Sequence, residues 1–192
     1  MIKTENFEKV EVTSAGELRD WLSKHYAQDY SVWLVTYKKV KPAKYISTGQ
    51  ILNELLCFGW IDGIRRKLDE DRTMQFISPR KSEHWAKTYK QRAAKLMEQG
   101  RMHDAGLKSI EASKASGLWD FMNDVDNLVI PTDLQKALKK YPEAETFFHN
   151  INDSSKRFVL RWIKLAKKEE TRQARMEKIA QLSARGEKLP GS

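Results

Sequence analysis

A chain of 192 residues with 40% hydrophobic residues, 32% charged residues and six tryptophans has the composition of a globular protein and not of a disordered one. Its 35 lysines and arginines against 26 acidic residues give a net charge of +9, which is spread over both halves and favours anionic partners without naming one. One cysteine, Cys57, excludes an intramolecular disulfide framework, and no stretch reaches the roughly 18 apolar residues of a membrane span.

The first part of the chain alternates strand and helix patterns. Residues 7–12 (FEKVEV) alternate as a strand does, and Ser14 followed by Glu17 is a capping-box pattern. Apolar residues at helical spacing follow, which predicts a helix over 15–26. The stretch 30–39 is rich in β-branched and aromatic residues and predicts a central strand.

A second helix and a hairpin are predicted next. Ser47 with Gln50 forms another capping-box pattern, and the helix that it opens is expected to end at Gly59. The stretches WIDGIRRK and TMQFIS then have the composition of two strands, joined by the polar turn LDEDR. The sequence therefore predicts a β-hairpin directly after an apolar helix.

From Ser82 onward the pattern is helical almost throughout. Gly100 is a natural end for one helix. Asp104 is predicted to cap the next helix, which ends at Gly117.

The last third predicts a compact set of three or four helices. Thr132, with Gln135 three residues later, is predicted to cap the first of them, and Pro142 is predicted at the first position of the second. The last helix is expected to end at Gly186, and the tail 187–192 to be frayed.

These patterns predict an α+β protein with a C-terminal helical module. A mixed α+β domain over 1–116 would contain a small antiparallel sheet with flanking helices. An ordered connector over 117–130, too apolar for a flexible tether, would lead to a helical bundle module over 131–192.

Metal and cofactor chemistry find no support in the sequence. The chain has no CxxC, HExxH or EF-hand pattern, and no GxSxG, Walker A or GxGxxG motif, so we predict no metal, no cofactor and no assigned catalytic residue. Cys57 lies at the end of an apolar helix, where a buried thiol is usually inert. The four histidines are far apart in the sequence: His25, His84, His103 and His149.

Asp62 is an acid between Ile61 and Gly63 in the first strand of the hairpin. It could act as a general base, anchor Arg65 or Arg66, or form a hydrogen bond in a backbone turn. A structural use is the commoner one for an aspartate beside glycine.

The basic groups of the hairpin are the richest signal. If the hairpin closes, its cations are expected to lie near Arg80, with Trp60 as an apolar contact and Asp62 orienting an arginine. Guanidinium groups beside aromatic rings suit phosphates, carboxylates or stacked bases. Nearby acidic residues favour the alternative of a solvated, salt-bridged surface. The candidate binding residues are Trp60, Asp62, Arg65, Arg66, Lys67, Arg80 and Trp85.

A second basic pattern runs through residues 157–175. On one unbroken helix its members would share a face, but the stretch KKEETR resembles a helix end followed by a restart, which would split them. The members are Arg157, Arg161, Lys164, Lys168, Arg172 and Arg175.

The succession VWLVTYKK, ELLCFGWIDG, FISPRKSEHWAK, IPTDLQKAL and KRFVLRWIKLAK closely resembles the YdeI/OmpD-associated family, whose members are often labelled bacteriocin-protection proteins. The resemblance covers about residues 18–187, and the part from about 130 to 187 is similar to the small helical module of that family. It implies a cytosolic bacterial protein with a role in resistance to antibacterial peptides or proteins. It implies no established reaction, cofactor or catalytic residue.

The function expected from the sequence is binding or protection without catalysis, directed at an anionic or protein partner. Two alternatives stay open: a nucleic-acid binder in which Trp85 or Tyr89 stacks on bases, and a small-molecule enzyme with Asp62 in a pocket. The first residues contain no apolar segment typical of a secretion signal, so a cytoplasmic location is expected. The oligomeric state stays open.

Overall fold

A computed structural model describes residues 7–81 and 83–192 of the chain. The chain divides into two compact units, one reaching to Asp120 and the other running from Phe121 to Ser192. The division falls inside the segment 117–130. The first unit combines a sheet with helices and the second is helical, so the predicted α+β class with a C-terminal helical module is confirmed.

The first unit contains a four-stranded sheet of β1 (Lys9–Glu11), β2 (Val32–Tyr37), β3 (Trp60–Lys67) and β4 (Arg72–Pro79), in the spatial order β1-β2-β4-β3. The β2, β4 and β3 strands pair antiparallel, as predicted, but β1 pairs parallel to β2, so the sheet is mixed. The reason is that a helix connects β1 to β2, and such a crossover returns the chain in the same direction.

Four helices contribute to the core of this unit. Val32 and Ile77 face each other on one side of the sheet, and their side chains join helical residues such as Leu18 and Leu55 in one buried cluster. Burial of such side chains is the main source of the unit's stability. The helices are α1 (Ala15–His25), α2 (Thr48–Cys57), α3 (Lys87–Glu98) and α4 (Asp104–Ala115).

Both predicted N-terminal caps of α1 and α2 form. The Ser14 hydroxyl accepts a hydrogen bond from the Glu17 amide, although the Glu17 carboxylate binds Thr13 and does not complete the box. At α2 the box is reciprocal, because Ser47 accepts from the Gln50 amide and the Gln50 side chain accepts from the Ser47 amide.

Three other predicted helix starts are wrong by one or two residues. The cap of α4 is His103, whose Nδ1 accepts from the Ala105 amide at 3.2 Å, and Asp104 is already helical. Thr132 is likewise inside its helix, after Pro131. Pro142 lies outside the following helix, because Glu143 takes a left-handed conformation with φ of 65° before that helix begins.

The second unit consists of five helices around its own buried cluster. The predicted frayed tail is wrong, since Leu189 is only 8% exposed and belongs to this core. None of the helices that the structure describes in either unit has the length and apolar character of a membrane span. The helices are α5 (Asn123–Asp126), α6 (Thr132–Leu138), α7 (Ala144–Asn150), α8 (Asp153–Lys164) and α9 (Glu169–Ala184).

The basic pattern of residues 157–175, which the sequence left open between one helix and two, is split between α8 and α9. Several of its members also have partners inside the unit. Lys164 pairs with Asp124, Arg172 pairs with Asp133 at 2.8 Å, and Arg175 donates to a backbone carbonyl. The pattern is therefore not a continuous cationic stripe.

Candidate functional site

The hairpin that carries the predicted site is formed by β3 and β4, as predicted. Its register shifts between Asp62 and Arg65, where Gly63 and Ile64 lie opposite Phe76. A Cβ atom on Gly63 would be 3.2 Å from the Phe76 carbonyl oxygen, so glycine suits this bulge.

The three consecutive cations of β3 do not form one cluster. Arg65 pairs with Gln75 and Lys67 with Thr73, on the side of the sheet that faces the helices, whereas Arg66 pairs with Met74 on the other side. Successive side chains of a strand point to opposite faces, and this alternation separates them. The three side chains therefore do not share one face of the sheet.

The predicted proximity of these cations to Arg80 is also wrong. The Arg80 amide donates to the Gly59 carbonyl, so Arg80 lies beside the start of β3. Arg65 pairs with Gln75, five residues before Arg80 on the partner strand, which corresponds to about 16 Å along an extended strand. Antiparallel pairing places the two cationic groups toward opposite ends of the hairpin.

The two tryptophans of the predicted site are core residues. Trp60 is 1% exposed and meets Trp21 edge to face at 5.6 Å between ring centroids. Trp85 is 2% exposed and lies next to Trp119. Trp60 therefore cannot be the exposed apolar contact that the sequence predicted, and Trp85 cannot stack on a nucleic-acid base.

Asp62 belongs to a chain of hydrogen bonds that crosses the helix-facing side of the hairpin. Its carboxylate accepts from the Tyr89 hydroxyl and, at 3.1 Å, from Nε2 of Gln75. Oε1 of Gln75 in turn accepts from Nη2 of Arg65 at 2.6 Å. Asp62 thus orients an arginine only through Gln75. Burial and the hydrogen bond to Asp62 raise the pKa of Tyr89.

Arg80 is held by aromatic rings. Its guanidinium lies 4.2 Å from the Trp85 ring centroid and 5.9 Å from that of Tyr89, and Nη1 donates to the Glu83 carbonyl. Burial lowers the pKa of Arg80, but an arginine stays charged at any physiological pH. The guanidinium group therefore packs on the faces of two aromatic rings and forms cation–π contacts with them.

Arg66 and Lys67 have looser partners. The Arg66 guanidinium lies 5.4 Å from the Trp33 ring centroid, and Lys67 pairs with the strongly exposed Glu70. Both residues belong to the exposed run 63–67 of β3.

A second basic site, which sequence reasoning missed, is a cleft between α2 and α3 with a volume of about 440 Å³. Arg92 and Lys95 of α3 and Arg101 after it line this cleft, and none of the described residues that line it is acidic. Nη1 of Arg92 is fixed by the Gly49 carbonyl at 3.1 Å and by Oδ1 of Asn53 at 2.6 Å. The sequence signal that could have indicated it is the recurrence of polar residues every three or four positions from Thr88 to Gln99, which places them on one face of α3.

Beside the cleft lies a buried carboxylate, Glu54, which is 3% exposed. Its Oε2 pairs with Nη1 of Arg19 at 2.8 Å, and its Oε1 pairs with Arg101. Arg19 also donates to the Arg101 carbonyl. These contacts fix the position of Arg101 at the edge of the cleft.

The described residues contain no cluster of three or more histidine, cysteine or carboxylate side chains that could hold a metal ion. His25 stacks on Trp21, and its Nδ1 lies 2.7 Å from the Trp21 carbonyl oxygen. His103 caps α4 and stacks on Phe58. Both imidazole rings therefore pack against aromatic side chains of the first unit.

Cys57 is expected to resist thiol reagents until the first unit unfolds. The side chain is fully buried, burial raises the pKa of its thiol above the ordinary 9.0, and only the thiolate reacts. Labelling with Ellman's reagent should be slow in buffer and complete in urea.

The same group makes stability depend on alkaline pH. Above pH 9.0 the unfolded chain releases the thiol proton while the folded chain retains it, so the free energy of unfolding falls as the pH rises through this range. At pH values well below 9.0 the thiol is protonated in both states, and the free energy of unfolding does not depend on its titration. Rapid reaction of Cys57 with Ellman's reagent in the folded protein would contradict the burial on which both expectations rest.

Comparison with known families adds to this geometry. Residues 10–109 match the sequence model of a family described as "Domain of unknown function (DUF8412)", which is more than half of the chain. The chain belongs to the DUF8412 family. Residues 127–186 match the family described as "Bacteriocin-protection, YdeI or OmpD-Associated", which confirms the predicted resemblance for the C-terminal part.

In this DUF8412 protein, both the hairpin and the α2–α3 cleft lie inside the matched range 10–109. The bacteriocin-protection match covers the helical unit only. Neither the curated proteins nor the solved structures contain a match to the chain.

Proposed function

We propose that the protein is a binding protein without catalytic activity, of the bacteriocin-protection type, whose first unit binds an acidic segment of another protein along β3. The observation that carries the proposal is the exposed run 63–67, which places three cations on one strand. Among the strands described, β3 lies at an edge of the sheet and pairs only with β4. Its outer edge therefore offers backbone groups to an added strand.

The electrostatics of the run support an acidic partner. Lys67 and Glu70 form an exposed pair, and such pairs contribute little to stability, so a partner carboxylate can replace Glu70 at small cost. Arg66 keeps its five donor groups available while it rests on Trp33. An acidic strand would then combine backbone pairing with charge-assisted hydrogen bonds.

The two alternative functions receive less support from the same contacts. A nucleic-acid binder of the expected kind needs an exposed aromatic ring, whereas Trp85 is buried and the Tyr89 hydroxyl is bound to Asp62. An enzyme using Asp62 needs a free carboxylate in a pocket. Asp62 already binds Tyr89 and Gln75, and it is not among the residues that line the α2–α3 cleft.

The double variant Arg66→Ala, Lys67→Ala is expected to weaken binding of a fluorescent peptide rich in aspartate and glutamate by about tenfold. Two charge-assisted contacts are lost, and at an exposed site each is worth roughly 0.7 kcal/mol, which together makes about 1.4 kcal/mol or a factor of ten. Fluorescence anisotropy over a salt series measures the effect, and the variant should also show a shallower salt dependence.

A matched control is Lys167→Ala, Lys168→Ala, which removes the same charge from an exposed part of the second unit. It should leave peptide affinity nearly unchanged. Equal losses in both variants, or no peptide binding at low salt, would overturn the proposal. Tighter binding of a single-stranded RNA than of the peptide would favour the nucleic-acid alternative.

A further inference from the structure

The α2–α3 cleft has the charge of an anion site. Arg92, Lys95 and Arg101 line it, and over residues 7–81 and 83–192 its lining includes no carboxylate to neutralise them. The nearest buried acid, Glu54, binds both Arg19 and Arg101. One carboxylate between two guanidinium groups leaves a net charge of +1. Like charges brought together around one cavity raise the local concentration of counter-ions of the opposite sign.

Two of the three cations are held in place before any ligand arrives. Arg92 is fixed by Gly49 and Asn53 of α2, and Arg101 is fixed by buried Glu54. An arginine whose position is already set loses less conformational entropy when it binds an anion. Lys95, by contrast, is exposed on α3 and contributes a flexible ammonium group.

The remaining lining suits the polar part of a small molecule. Gln91 and Gln99 contribute amide groups, and Thr88 contributes a hydroxyl. A volume of about 440 Å³ lies within the roughly 300–1,000 Å³ range of small-molecule sites. Among the lining side chains that the structure describes, only Leu96 is aliphatic, so the cleft does not suit an apolar ligand.

From this arrangement we propose that the α2–α3 cleft is a binding site for a small polyanion carrying phosphate or several carboxylate groups. The two arginines bind the anionic oxygens through their planar donor pairs, and Lys95 adds a third positive charge. The amides and the hydroxyl bind uncharged oxygens of the same ligand. The site shares no residue with the exposed run 63–67, so it stands independently of the function proposed for β3.

The test uses isothermal titration calorimetry of the full chain with pyrophosphate and with citrate. Both anions should bind, more weakly as salt is added, and the ratio of the two affinities identifies phosphate or carboxylate as the preferred group. Lys95→Glu should weaken binding of the preferred anion by about tenfold or more, because it replaces an attractive charge with a repulsive one.

Lys87→Glu is the matched control, since Lys87 is exposed on the same helix and does not line the cleft. It makes the same change in net charge and should alter affinity by less than about twofold. The variant Arg66→Ala, Lys67→Ala should bind the anion as the parent chain does.

Three results would overturn the proposal. They are no binding of either anion at millimolar concentration, equal losses in Lys95→Glu and Lys87→Glu, or loss of anion binding in the hairpin variant. Circular dichroism of each variant shows whether it is folded. For a Lys95→Glu chain that fails to fold, Lys95→Gln takes its place, with the same direction of effect expected.

Discussion

Replacing Gly106 with alanine is expected to lower the free energy of unfolding of the first unit by about 2–3 kcal/mol. Gly106 is a buried position of α4 that packs on the end of α2. A Cβ atom there would lie 2.8 Å from the Leu56 carbonyl oxygen and closer still to that of Cys57. Backbone atoms cannot rotate away as a side chain does, so the two helices would have to separate.

The direction of this effect is opposite to that of intrinsic helix propensity. Alanine in a helix interior is normally favoured over glycine by about 1 kcal/mol, which offsets only part of the steric cost. The contact is also fixed by the His103 amide, which donates to the Cys57 carbonyl at 3.0 Å just before α4 begins. Separation of the helices would strain this hydrogen bond too.

Urea unfolding followed by tryptophan fluorescence measures the change, because five of the six tryptophans lie in the first unit. Gly16→Ala is the control: it is a helical glycine of α1 whose added Cβ would have no neighbour closer than 3.7 Å. Its stability should stay the same or rise by about 0.5 kcal/mol. A Gly106→Ala chain as stable as the parent would contradict the packing of α2 against α4. The five tryptophans are Trp21, Trp33, Trp60, Trp85 and Trp119.

Features that depend on neighbouring residues in the sequence were predictable. The capping box at Ser47 and the hairpin after Gly59 both follow from short stretches of sequence. In each case the residue types act through local backbone hydrogen bonds or through helix ends, which need no distant partner. The α+β class follows from the same local patterns.

The candidate site was harder to predict because its parts come from distant stretches. Whether Trp60 faces solvent depends on Trp21, and whether Asp62 is free depends on Tyr89. The cleft likewise needs α2 beside α3, which bring Asn53 close to Arg92. No spacing within one segment reports such tertiary proximity.

Glu54 illustrates the same limit with the larger consequence for stability. In the sequence it is an ordinary acid in an apolar helix, yet in the structure it is 3% exposed and binds two arginines. Replacing Glu54 with glutamine keeps the shape of the side chain but removes its charge. Arg19 and Arg101 then face each other without an anion, which should lower the free energy of unfolding by about 2–3 kcal/mol.

The expected loss is smaller than for a fully buried ion pair, because the side chains of Arg19 and Arg101 are 39% and 38% exposed and retain part of their hydration. Urea unfolding again gives the measurement. Glu98→Gln is the control, since Glu98 is an exposed acid of α3, and its replacement should change stability by less than about 0.5 kcal/mol.

A double-mutant cycle with Arg101→Gln separates the charge effect from the loss of hydrogen bonds. If repulsion between the two guanidinium groups dominates, removing the Arg101 charge from the Glu54→Gln chain should recover part of the lost stability. If the double variant instead loses the sum of both single losses, Glu54 and Arg101 act independently. Anion binding by the single variant Glu54→Gln, which keeps Arg101, tests the second role of the carboxylate: weaker binding despite the gain in net positive charge would show that Glu54 also positions the arginine at the cleft.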